Sequence, residues 1–173
     1  MVSRLAVIAT LFTLLTTSVT AEPQWRLGFN LASLHVASTA EFNEFNPGMN
    51  ISVTFGDQRA FQYGFQVGGY LNSYNNRTFY GLAFANWRIL RMDNVELRAG
   101  GFVGMFEYPN LIEEVQAAGW VSAGDMVLAF GPTLTMRMNN GTDIIVGYLP
   151  AYGKDMQGIF TLQASIALGG PRR

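Results

Sequence analysis

The sequence predicts an all-β protein, an eight-stranded antiparallel up-and-down barrel that crosses a membrane. Three observations predict it. Eight stretches alternate apolar with polar or small residues at period two, which puts one residue set on each face of a strand. Charged residues make up only 13% of the chain, against about 25% in average soluble proteins, while glycine and aromatic residues are plentiful. The connections between stretches alternate between short and long, as in outer-membrane barrels with tight periplasmic turns and longer external loops.

The chain opens with a leader. Arg4 supplies a positive start, Leu5 to Leu15 is an apolar core, and Val19-Thr20-Ala21 offers small residues before Glu22. Residues 1–21 are therefore expected to be a signal peptide, removed on export. That core is too short for a spanning helix, and every later apolar run is broken at period two. Residues 22–173 then form a single barrel domain, expected as a monomer in the bacterial outer membrane.

The first stretch is Trp25–Ser33, with Trp25, Leu27, Phe29 and Leu31 on one face against Arg26, Gly28 and Asn30. A polar loop follows to Asn46. The second stretch, Pro47–Phe55, sets Met49, Ile51 and Val53 against Asn50, Ser52 and Thr54. After the turn at Gly56–Arg59 comes Phe61–Tyr70, with Phe61 and Phe65 opposite Gln62 and Gln66. A loop through Asn72 and Ser73 leads to Thr78–Ile89, and the Leu90–Asn94 turn leads to Val95–Phe106. The longest connection, Glu107–Gly124, has room for a helical turn around Leu111–Ala118. Asp125–Met138 is the sixth stretch, and Asn139-Asn140-Gly141 is a strong hairpin signal. Asp143–Pro150 and Gly158–Leu168 complete the set. Met126, Leu128, Phe160 and Leu162 fall on apolar faces, whereas Arg88, Glu96, Arg98 and Arg137 fall on faces assigned to the lumen. Charges there are tolerated better than toward lipid, and internal ion pairs are expected to plug the barrel, the alternative being a polar floor beneath a ligand cavity.

Several function classes are excluded or made remote. A net charge of −1 gives no basic footprint for nucleic acid. With no cysteine there is neither a disulfide nor thiol chemistry. One histidine without cysteine cannot build a usual zinc set, and Glu113, Glu114 and Asp125 read as solvated loop residues rather than a calcium site. No phosphate loop, dinucleotide fingerprint or nucleophile elbow occurs, so no cofactor and no metal is expected.

His35 is the single histidine, at the top of the first stretch, with Ser33 two residues earlier on the same face. Asn72 and Ser73 lie at the top of the third. Such a histidine either activates a hydroxyl as general base or is a rim residue bonded to its loop. Three prolines fall at strand ends or within a strand: Pro47, Pro132 and Pro150. Proline removes a ladder donor, so each marks strand termination or a gap through which a lipid chain could pass sideways.

These residues carry a resemblance. Ser33-Leu34-His35, Phe42-Asn43-Glu44-Phe45-Asn46-Pro47-Gly48, Tyr70-Leu71-Asn72-Ser73 and Gly147-Tyr148-Leu149-Pro150 occur in the order found in the lipid A palmitoyltransferase family of Gram-negative outer membranes. The chain also resembles small bacterial and phage-encoded proteins with the same pattern. The family resemblance implies an eight-stranded barrel that holds one acyl chain and moves it from a phospholipid to lipid A at the external rim. It implies that His35 and Ser73 occupy catalytic positions, with Asn72 where the family has aspartate. Phe84 falls near a small residue that floors the family's acyl pocket, and only Glu22–Gln24 precede the first strand, where the family has a helix. Two functions follow as expectations. One is an acyltransferase with phospholipid and lipopolysaccharide as partners. The alternative is a non-catalytic barrel that binds lipid or ligand or presents its loops to other proteins.

Overall fold

The computed structural model describes residues 22–36, 42–56, 60–108, 121–150 and 158–169. The leader and the expected helical turn at residues 111–118 lie outside them, as do Glu113 and Glu114. Eight long strands make the fold: β1 Gln24–Val36, β2 Phe45–Phe55, β3 Phe61–Leu71, β4 Arg77–Arg91, β5 Val95–Glu107, β6 Met126–Met138, β7 Thr142–Leu149 and β8 Gly158–Ala167. A two-residue strand, Ser122–Ala123, lies beside the start of β6.

Each long strand pairs antiparallel with its sequence neighbours, and β1 pairs with both β2 and β8. The sheet is therefore a closed up-and-down barrel in which the ladder satisfies the backbone. The observed strands match the expected ones within a few residues, with one larger difference. β1 runs through His35 to Val36, and Ser33 N–H still donates to the Glu44 carbonyl beyond the start of β2 at 2.9 Å. The polar loop is shorter than its composition suggests because Asn46 and Glu44 are drawn into pairing.

Alternation sorts the side chains. Phe65, Met49, Trp87, Phe79 and Val103 point outward and are half-exposed or more, with Phe79 at 61%. Met49, Ile51, Val53, Phe61, Phe65, Met126, Leu128, Phe160 and Leu162 all share this outer face, and all but Met126, which stands opposite Glu107, have apolar or small register partners. Gln62, Thr54, Ser52, Gln66, Arg98 and Asp143 point inward and are buried. A soluble sheet buries its apolar face; this one buries its polar face, so its outer surface suits hydrocarbon rather than water.

Two bulges interrupt the ladders. One falls at Leu31, between the pairs Asn30↔Gly48 and Ala32↔Phe45. A single extra residue reverses the parity of everything after it. Trp25, Leu27 and Phe29 face out before the bulge, and Leu34 and Val36 face out after it. Leu31 thus does not continue the outer row of Trp25, Leu27 and Phe29, as simple alternation predicts. Because of this one residue, Ser33 and His35 turn toward the lumen instead of the apolar belt. Pro47 stands opposite the bulge, where a missing N–H disturbs no pair. The second bulge, at Ile89, keeps Leu90 on the outer face beside Leu97. At the far hairpin Gly141 has φ 86°, the left-handed conformation such a tight turn requires, and its N–H donates to Met138.

Candidate functional site

The lumen is layered. The end nearest the short turns is ionic. Asp143, at the start of β7, accepts from Arg26 of β1 at 3.0 Å and from Arg137 of β6 at 2.8 Å. Arg137 also donates across the barrel to the Gln62 Oε1 at 3.0 Å. Arg26 donates to the Ser165 hydroxyl at 3.0 Å and the Gly141 carbonyl at 2.7 Å. Beside this set Glu96 accepts from Arg98 and, at 3.4 Å, from Arg88, while Arg98 reaches Asn86 at 3.2 Å. Seven strands contribute, so the expected internal ion pairs are present as a floor. A buried charge is tolerated only when paired and hydrogen-bonded, which these are.

The middle layer is built from amides and a phenol. Gln66 of β3 donates to Tyr80 of β4 at 2.7 Å and to Gln163 of β8 at 3.1 Å. The Tyr80 hydroxyl donates to Asn30 at 3.3 Å. Above Tyr80, Phe106 stacks at 5.3 Å with the rings 13° apart, and Tyr70 meets Tyr80 edge-on at 5.8 Å. Tyr108, just beyond β5, is hydrogen-bonded to Tyr70, and burial pushes its phenol pKa up. A cavity of about 120 Å³ runs from Arg26 and Arg137 at the floor, past Phe84 and Phe102, to Ser33 and Asn46 near the rim. Phe84 lies over Gly64, where any side chain would collide with its ring.

At the rim the structure brings some predicted residues together and keeps others apart. Ser73 Oγ lies 3.2 Å from Ser33 Oγ, which in turn donates to Asn46 Oδ1. The Asn46 amide donates to the Leu71 carbonyl at 3.1 Å, tying β2 to β3. Asn72 is buried, and its bonds are local. Its Oδ1 accepts the N–H groups of Tyr74 and Asn76, each at 3.0 Å, and its Nδ2 donates to Thr78 at 3.0 Å. Such self-bonding caps a tight loop, here one with Asn75 at φ 62°. His35 stacks on Phe42 at 4.1 Å and makes no hydrogen bond among the described residues; its Nδ1 is buried without a partner. Neither Ser73 nor Asn72 is bonded to it. Asn46, which the sequence marks only as part of the Phe42–Gly48 segment, joins Ser33 and Leu71 at this rim.

The prolines have different settings. The β1–β2 ladder resumes past Pro47 at Ala32↔Phe45. The β6–β7 ladder stops at Thr133↔Gly147, one residue short of Pro132, although Gly131 still packs against the Tyr148 carbonyl. Pro150 follows the end of β7. No group of metal-ligating side chains is found among the described residues.

No protein-family model and no curated protein matches the chain. Among solved structures it is similar to the outer membrane protein Ail of Yersinia pestis in a phospholipid bilayer nanodisc. That likeness has a TM-score of 0.43 and 13% identity, and covers 85% of this chain and 100% of that chain. The crystal structure of Ail, the attachment invasion locus protein of Yersinia pestis, gives a TM-score of 0.41 and 14% identity over 84% of this chain and 97% of that chain.

Proposed function

We propose that this protein is a non-catalytic outer-membrane barrel, sealed at its periplasmic end, that presents its long connections to the exterior. The outward apolar belt supports membrane insertion, and the short turns on the ionic side support placing that side in the periplasm. The observation that carries the sealed reading is the buried ion-pair floor around Asp143 and Glu96, with Arg137 reaching across to Gln62. A conducting pore needs an aqueous path, and barrels of eight strands are filled by side chains or hold one small ligand.

Acyl transfer, the function the family resemblance implies, is less well supported. A general base must reach the proton it removes at about 2.6–3.2 Å. His35 bonds to neither Ser73 nor Asn72, and the Asn72 amide is fully engaged by its own loop. An acyl chain lying along the lumen would also have to displace the Gln66–Gln163 bridge. Phospholipid and lipopolysaccharide remain partners of the outer surface.

The test has two arms. Mass spectrometry of lipid A and phospholipids should show identical acyl patterns with and without the protein. Planar bilayers containing the purified barrel should show no unitary conductance. A palmitate-sized mass gain on lipid A that disappears in His35→Ala would restore the enzyme reading.

A further inference from the structure

We propose that the lumen cavity binds a small organic anion, a carboxylate carried on a flat apolar body. This deepens the sealed-barrel reading and rests on it. The first observation is charge. In the ionic floor four guanidiniums, Arg26, Arg88, Arg98 and Arg137, share two carboxylates, Glu96 and Asp143. At the cavity Arg26 and Arg137 face one carboxylate, Asp143, which leaves one positive charge in a compartment walled by protein and, outside that, hydrocarbon. Screening is weak there, so an anion at the cavity floor is favoured far more than in water.

The second observation is where the cavity sits. Arg26, Arg137 and Asp143 line it, so one net positive charge is at its base. Its walls are Phe84, Phe102, Phe106 and Tyr80, which offer ring faces and edges to a flat body. The third is Asn30, a cavity residue only 7% exposed, whose Nδ2 has no partner. A buried amide donor without an acceptor is unfavourable, and a carboxylate oxygen would satisfy it. The volume of about 120 Å³ is on the scale of a cavity that holds one benzene ring, about 150 Å³. Charge, donor and rings together select against cations and against neutral molecules of equal size.

The test is calorimetric titration of the whole membrane-inserted protein, in lipid nanodiscs, with benzoate, benzyl alcohol and benzylamine. Benzoate should bind once per barrel, at least about tenfold more tightly than benzyl alcohol, which corresponds to about 1.4 kcal/mol. Benzylamine should not bind. Thr135 lines the cavity opposite Arg98, so Thr135→Glu adds the missing carboxylate from the wall. It should weaken benzoate binding at least about tenfold more than Thr135→Gln, of equal size, and unfold at a higher temperature than that variant. Equal affinity for benzoate and benzyl alcohol would overturn the proposal, as would displacement of benzoate by equimolar chloride. If the Glu variant does not fold, the three ligands on the wild-type protein still decide the matter.

Discussion

The two ends of the lumen use polar side chains in opposite ways. At the short-turn end they link strands: Arg26 to Ser165 on the neighbouring β8 and to Asp143 one strand further on, Arg137 to Asp143 on the neighbouring β7 and, across the barrel, to Gln62. At the loop end most bonds are local, as when Asn72 holds Tyr74, Asn76 and Thr78. Bonds between strands fill the lumen at the short-turn end and brace a wall that the ladder closes. Local bonds shape one loop and leave the strands to the ladder. The resemblance to an acyltransferase draws the eye to His35, Asn72 and Ser73 at the loop end. The geometry places the larger energetic stake at the other.

That contrast can be broken most directly at Asp143. Asp143→Ala strands two buried guanidiniums, and removing one partner of a buried pair typically destabilises by about 3–5 kcal/mol. Urea titration of the folded barrel in lipid should show a loss of that order. A loss below about 1 kcal/mol would mean the floor is solvated and weak.

A second measurement separates the lumen from the outer belt at mid-height. Phe65→Arg puts a cation on the outer face and should destabilise by about 2–4 kcal/mol in the same titration. Ser52→Arg, directed into the lumen, should be better tolerated if room permits. Equal losses at both sites would show that the faces are misassigned.

The loop end should respond less. Asn72→Ala removes a loop cap comparable to a helix cap, so a loss of about 0.5–2 kcal/mol is expected, with faster amide exchange confined to residues 72–76. Asn72→Asp keeps an acceptor for both N–H groups and should not create acyl transfer. His35→Ala removes a ring stacked on Phe42, for a loss of about 0.5–1.5 kcal/mol, and should leave heat-modifiable migration intact.

The smallest effect tests the bulge. The chain has no cysteine, so single substitutions report cleanly. Cysteine at Ser33 should react with a small water-soluble thiol reagent and cysteine at Leu34 with a lipid-soluble one, with little change in stability. The reverse pattern would place Ser33 on the apolar belt.

Much of this architecture was legible beforehand because a strand's period is two and its two faces meet different solvents. Met49, Ile51 and Val53 announce an outer face whatever they pair with, and Asn139-Asn140-Gly141 announces its turn through the conformation glycine adopts. The inward placement of Arg88, Glu96, Arg98 and Arg137 follows from the same alternation. Their partners do not, since Arg26 and Asp143 are brought together only by closure of the barrel. The candidate site shows the sharper divide. Local sequence placed His35, Asn72 and Ser73 at strand tops on one rim. Whether Ser33 and His35 faced lipid or lumen depended on a single extra residue at Leu31, and no local pattern marks a bulge inside an apolar row. Bonding Ser73 to Ser33 required the register between strands far apart in the chain, and Asn72 is held by its own loop rather than by His35. Alternation is a property of one strand and can be read from its residues. Parity after a bulge, and the partner across a lumen, are properties of a closed sheet.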